Sequence, residues 1–148
     1  MQDIHSDNIN RLESLIFQAR RIAIVTHMKP DGDAMGSSIA LYHYIGMYGG
    51  KSVKIVLNDR YPGYLGFLAE GLPASDIIVH QERPSEAETS IKDSDLVICL
   101  DFNAFHRTDK LEEALKGSKA DKVLIDHHLN PDREQFELSF SETDISSA

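Results

Sequence analysis

Ile22-Ala23-Ile24-Val25-Thr26-His27-Met28-Lys29-Pro30-Asp31-Gly32-Asp33-Ala34-Met35-Gly36-Ser37 is the stretch whose reading decides the fold. An apolar run rich in β-branched residues stops at a histidine, and the Pro-Asp-Gly-Asp turn behind it delivers two carboxylates before small residues open a helix. Strand, tight turn and helix in that order form the repeating unit of an α/β domain, in which strand carboxyl ends and helix amino ends converge on one rim of the sheet. Ligands bind on that rim.

The flanking sequence repeats the unit. Upstream, Ile9, Leu12, Leu15, Ile16 and Ala19 recur at helical spacing, with Ser6, Asp7 or Asn8 as a cap, which predicts an opening amphipathic helix. The first strand is expected over Arg21 to Thr26. A helix capped by Asp33 or Ser37 should then run to about Tyr48 and stop at Gly49-Gly50. Lys51 to Leu57 alternates as a strand does, Asn58-Asp59-Arg60-Tyr61-Pro62-Gly63 is turn-like, Tyr64 to Ala69 suggests a short helix, and Ile77-Ile78-Val79 is a weaker strand. Ser85 to Lys92 reads as one or two helical turns, Asp95 to Leu100 as a buried strand ending at Asp101. A helix is then expected from Thr108 or Asp109 to Gly117, and a strand from Lys122 to Ile125 ending at Asp126-His127-His128. Phe136 to Phe140 alternates and suggests one more strand, and the residues from Thr143 to Ala148 resemble the start of a helix. Alternating strands and helices imply a doubly wound, mainly parallel sheet flanked by helices, with right-handed crossovers.

Composition sets the outer bounds. The 148 residues suffice for one domain with a core, and 41% hydrophobic with 26% charged residues is ordinary for a soluble globular chain. A formal charge of −9 argues against a duplex-DNA footprint or an anionic membrane surface, both of which need clustered Lys and Arg. Cys99, alone of its type, excludes an intrachain disulfide and fits a buried apolar position. No basic segment precedes an apolar run at the amino terminus, and no stretch reaches membrane-spanning length, so the expected location is cytoplasmic.

Three expected strands end in residues able to bind metal: His27 with Asp31 and Asp33, then Asp101, then Asp126-His127-His128. A parallel sheet sets such ends side by side, where crowded carboxylates repel unless cations compensate them. Mixed carboxylate and imidazole donors suit Mn²⁺, Mg²⁺, Fe²⁺ or Zn²⁺, and the absence of thiolates argues against a structural zinc site. Two ions roughly 3.5 to 4 Å apart can activate a shared water and clamp the attacking and leaving oxygens of a phosphoryl centre. Each piece also has a plainer reading. Pro-Asp-Gly-Asp alone is more often a turn with a helix cap. Counted as a calcium loop from Asp31, it places Met35 and Tyr42 where oxygen ligands belong, so that reading fails. Asp101 alone reads equally as an ordinary strand-end carboxylate, a His pair is usually satisfied by hydrogen bonds, and joint placement is what reverses the balance. Arg107 lies on the same rim and is suited either to a phosphate or to pairing with Asp109 or Asp126. His43 and His80 read as structural or exposed, and the Glu82, Glu86 and Glu88 region as a solvated face.

These motifs resemble those of the DHH phosphoesterase family, named for Asp-His-His. His27 to Ser37 is similar to the first family motif, Asp101 to the second and Asp126-His127-His128 to the third. The resemblance implies that His27 and Asp31 hold one ion, Asp33 and His127 the other, and that Asp101 bridges both. It further implies that Asp126 orients its neighbours and that His128 contacts the substrate phosphate; Arg107 is a second candidate substrate-binding residue by its place on the same rim, and not by the resemblance. It implies two Mn²⁺ ions, with Mg²⁺ or another divalent ion as the alternative. The Pro-Asp-Gly-Asp-Ala-x-Gly-Ser form is most like the branch that trims short oligoribonucleotides and dephosphorylates 3′-phosphoadenosine 5′-phosphate, through attack by a hydroxide generated at the metal pair. Inorganic pyrophosphatases and cyclic-dinucleotide phosphodiesterases share the motifs, and a non-catalytic nucleotide-binding module is the reading from another class. The expected partners are a short single-stranded RNA or nucleotide, with room for a homodimer. A fourth metal-binding Asp and a Gly-rich carboxyl-terminal domain do not occur before Ala148, so residues 1–148 are expected to be an incomplete amino-terminal catalytic domain.

Overall fold

The computed structural model describes residues 2–100, 105–126 and 138–141, with side chains for 9–100 and 108–125. Six strands form one sheet in the order β3-β2-β1-β4-β5-β6. They are β1 (Arg21–Thr26), β2 (Ser52–Leu57), β3 (Ile77–Val79), β4 (Leu96–Leu100), β5 (Asp121–Asp126) and β6 (Leu138–Ser141). Every neighbouring pair is parallel. The expected doubly wound parallel sheet is therefore present, and the order reverses direction between β1 and β4. In open α/β sheets that reversal opens the crevice where ligands bind.

Period-2 alternation along the central strands feeds two separate cores. Ile22 and Ile24 join Ile16, Met35, Ile39, Ile55 and Leu57 on one face, under α1 (Gln2–Gln18) and α2 (Gly32–Gly46). Ala23 and Val25 join Val56, Ile91, Cys99, Leu115 and Leu124 on the other, under α3 (Pro84–Asp93) and α4 (Glu112–Gly117). β1 is therefore apolar at nearly every position because both its faces are covered, as in parallel sheets generally. Each large side chain so buried contributes about 1.5–3 kcal/mol.

Asp95 fixes the opposite, amino-terminal end of these strands. Its carboxylate accepts the Arg21 N–H at 2.7 Å and the Arg20 N–H at 3.0 Å, while its own N–H donates to the Arg21 carbonyl at 2.9 Å. Its carbonyl in turn accepts the Asp121 N–H at 3.2 Å, so one residue aligns the starts of β1, β4 and β5.

Several expected boundaries move. The first helix begins at Gln2, so Ser6, Asp7 and Asn8 lie inside it and do not cap it. Ile16 is fully buried, whereas Ile9 is 43% exposed, so among the described side chains of α1 those of its last turns dock. The polar stretch from Ser85 to Lys92 is a ten-residue helix, Pro84–Asp93, opened by proline at its first position. The helix expected from Thr108 or Asp109 is instead a 3₁₀ segment, Phe105–Leu111, kinked at Asp109 (φ 54°, ψ −106°), with α4 starting only at Glu112. An L residue in that conformation cannot propagate a right-handed helix. The expected strand of Phe136 to Phe140 is β6 from Leu138, and the helix start expected after Thr143 lies outside the described residues.

Candidate metal centre

The carboxyl ends of β1, β4 and β5 are level with one another. Thr26 pairs with Leu100, and Leu100 with Ile125, so the three residues form one row across the sheet. The buried Thr26 hydroxyl donates to the Leu100 carbonyl at 2.9 Å and seals β1 to β4 at the reversal. In sequence, His27, Asp101 and Asp126 are the next residues after that row.

His27 leaves β1 with its side chain only 13% exposed. Its Nδ1 lies 2.6 Å from the Met28 carbonyl oxygen, and since a carbonyl only accepts, Nδ1 carries the proton. In the neutral ring the lone pair is then on Nε2, the nitrogen that faces Asp31. Fixing the second ring nitrogen with a backbone carbonyl is how proteins set the tautomer of a metal-binding histidine.

Asp31 serves two purposes. Its backbone is extended (φ −101°, ψ −172°) and its Oδ1 accepts the Ala34 N–H at 2.9 Å, which makes it the amino-terminal cap of α2. That corrects the expectation of Asp33 or Ser37: the helix starts immediately at Gly32, placing Asp33 in its first turn and Ser37 buried in its interior. Asp31 Oδ1 also stands 3.8 Å from His27 Nε2. That gap is too long for a hydrogen bond. Two donor atoms each about 2.0–2.2 Å from one ion lie at most about 4.4 Å apart, so a lone-pair nitrogen and a carboxylate oxygen at 3.8 Å suit a shared cation. The amino end of α2 adds a positive dipole end that favours anionic side chains there.

His27 and Asp31 are thus brought together, and Asp33 is partly buried one turn away. Among the described residues, no three His, Cys, Asp or Glu side chains gather into a metal-sized group. Asp101, His127 and His128 lie outside the described residues. So do the side chains of Asp126, whose backbone ends β5, and of Arg107, whose backbone is in the 3₁₀ segment. A hollow of about 460 Å³, lined by Arg21, Ser52, Lys54 and Ser94 among others, opens near the strand starts and is therefore on the wrong rim for this centre.

Two residues beside the centre were not singled out by sequence reasoning. Asp59 accepts the Lys29 N–H on Oδ2 at 2.8 Å and the Asn58 Nδ2–H on Oδ1 at 2.8 Å, while Asn58 Oδ1 accepts the Lys110 N–H at 2.9 Å. Their turn-like neighbourhood carried no signal for this. Asn58 is 3% exposed, a burial that composition does not reveal.

Residues 21–148 match the DHH family, N-terminal domain. The chain belongs to the DHH family. An exopolyphosphatase-related protein from Bacteroides fragilis has a similar structure at 32% identity and a TM-score of 0.86, over 96% of this chain and 41% of that one. This DHH-family chain thus spans well under half the length of that relative. An α-glucosyltransferase in complex with UDP and a 13-mer DNA with a central A:G mismatch resembles it at 16% identity and a TM-score of 0.54, over 82% of this chain and 36% of that one, a likeness of fold alone.

Of the remaining expectations, His80 is tied to Glu88 at 2.8 Å and Arg83 to Glu86 at 3.2 Å. Arg60 forks onto the two Glu82 oxygens, so the acidic region is an exposed set of ion pairs. No helix of the described residues is long and apolar enough to cross a membrane.

Proposed function

We propose that this chain is the metal-bearing part of a divalent-metal-dependent phosphoesterase that hydrolyses short oligoribonucleotides or dinucleotides, 3′-phosphoadenosine 5′-phosphate, or both. The observation that carries the reading is the His27–Asp31 pair, a lone-pair imidazole nitrogen 3.8 Å from a carboxylate oxygen at the sheet's reversal point, in a chain of the DHH family. In this reading His27 and Asp31 would hold one ion and Asp33 and His127 a second, with Asp101 a ligand shared between them and Mn²⁺ the first choice. Bound divalent ions supply Lewis acidity and an acidified water at a phosphoryl centre.

The side chains supply the rest. The Met28 carbonyl keeps the His27 proton on Nδ1, which directs the Nε2 lone pair toward Asp31. The Ala34 N–H holds Asp31 Oδ1 in one rotamer. Asp126 orients its neighbours, His128 donates to a phosphate oxygen as negative charge grows there, and Arg107 grips the phosphate with a planar fork.

The test is hydrolysis by the intact protein with and without Mn²⁺, on a short oligoribonucleotide, 3′-phosphoadenosine 5′-phosphate, pyrophosphate and inorganic polyphosphate. Mn²⁺-dependent release of nucleoside monophosphate or phosphate from the first two is expected, nearly abolished by Asp101→Asn. Retained activity in that variant would remove the bridging role. Turnover of polyphosphate alone would move the substrate to the class named for the Bacteroides relative. Mn²⁺ binding with no turnover of any of the four would leave a nucleotide-binding module.

A further inference from the structure

We propose that Asn58 and Asp59 are positioning residues for this centre, a two-residue clamp that locks the ligand-bearing loop after β1 to the turn after β4. The clamp's role in metal binding rests on the reading above. Its geometry stands apart from it.

Lys29 lies between His27 and Asp31, and its φ is 53°. A lysine in the left-handed region is strained, because its Cβ crowds the following carbonyl oxygen. Here it also precedes Pro30, a position that steric crowding by the proline ring pushes toward extended backbone. Across the sheet reversal, Asp109 is the other non-glycine residue with positive φ among the described residues, at 54°. Backbone strain of this kind persists where surrounding contacts over-determine it.

Those contacts are the clamp. One bond holds the amide of Lys29 itself, and another holds the amide of Lys110, directly after Asp109. The Asn58 amide joins the two by donating to Asp59, so a continuous relay runs from Lys29 through Asp59 and Asn58 to Lys110. An Asx residue serving only its own turn bonds backbone about two residues on. These bonds reach 30 and 52 positions along the chain. Since Asn58 is 3% exposed, water cannot replace a bond it loses. Because His27 and Asp31 flank Lys29, the setting of this loop determines whether Nε2 and Oδ1 face one another at a separation that one ion can span.

Amide hydrogen exchange on the metal-free intact protein and Mn²⁺ calorimetry together test this. Asp59→Ala should speed exchange at Lys29 and weaken Mn²⁺ binding by about 10- to 100-fold, the usual effect of removing a residue that orients metal ligands. The double variant Asn58→Asp with Asp59→Asn keeps an acceptor for each backbone amide, reverses only the bond between the two side chains and leaves the charge unchanged. It should recover most of both losses. Wild-type exchange at Lys29 in Asp59→Ala overturns the clamp, and so does a double variant no better than Asp59→Ala. Faster exchange with unchanged Mn²⁺ affinity overturns the positioning role and leaves a structural tether. If Asp59→Ala does not fold, Asp59→Asn takes its place: it turns an N–H group toward the Asn58 amide and so breaks the relay between the two side chains. That should speed exchange at Lys29 or Lys110 and weaken Mn²⁺ binding, and wild-type exchange at both amides overturns the clamp. A wild-type protein that binds no Mn²⁺ while exchange responds as expected overturns the metal reading instead.

Discussion

At the scale of single residues, Asp31 caps α2 and is the proposed partner of His27 on an ion, two tasks that substitution can divide. Asparagine caps a helix about as well as aspartate, whereas alanine leaves the Ala34 N–H without its side-chain acceptor and costs about 1 kcal/mol. Asp31→Asn is therefore expected to keep the metal-free melting temperature while losing Mn²⁺ affinity. Asp31→Ala should lose both, with Tm falling about 2–4 °C. Thermal melts without metal, beside Mn²⁺ calorimetry, check the division, and equal melting losses in the two variants would show that the cap is not what Asp31 provides. The Pro-Asp-Gly-Asp stretch was legible as a turn that delivers carboxylates to a helix start. Which of them caps was not, because Asp31, Asp33 and Ser37 are all good caps and the choice depends on where helical backbone begins. Asn58 and Asp59 were illegible for a different reason: their partners are far away in sequence, and turn residues look alike whether they serve their own turn or a distant loop.

Among elements, the strands were the most legible because alternation and burial on both faces leave a direct mark, and even three-residue β3 was visible in Ile77-Ile78-Val79. The kink at Asp109 was hidden, since no local pattern marks a backbone turn beside a contact with Asn58. Asp95 gives the register of β1, β4 and β5 a testable origin. Burial pushes its carboxyl up, but the backbone amides of Arg20 and Arg21 more than offset this and hold it below the usual carboxylate range. A group with a lowered folded pKa stabilises above its unfolded value, near 3.9, and loses that contribution as pH falls through the folded value. Two charge-assisted bonds to an exposed carboxylate leave an Asp95→Ala loss of about 1 kcal/mol at neutral pH. Urea denaturation of wild type and Asp95→Ala at pH 7 and pH 3 should show the gap between them narrowing at the lower pH. A gap that widened would mean the carboxylate is not what aligns the strands.

On the scale of the whole molecule, the fold supplies its own reporter for the metal binding proposed above. Cys99 is the sole cysteine of the chain, lies in β4 with no exposed surface, and its thiol is pushed well above the ordinary range by burial. It is packed in the core under α3 and α4, so a thiol reagent reaches it only when that layer opens. The His27–Asp31 pair belongs to the same cooperative unit: His27 follows β1, whose Thr26 is bonded to the last carbonyl of β4. An ion that binds only the closed protein lowers the population of the open form by the factor 1 + [L]/Kd, which is about 100-fold at a hundred times Kd. Mn²⁺ should therefore slow labelling of Cys99 by about that factor at such a concentration, where opening and closing are fast relative to labelling. With a formal charge of −9, some slowing will come from any divalent cation screening the carboxylates. His27→Ala separates the two effects, because it removes one proposed ligand and leaves the formal charge, with His neutral, as it was. Slowing that survives intact in His27→Ala would mean that cations act on the acidic surface at large and not at the end of β1.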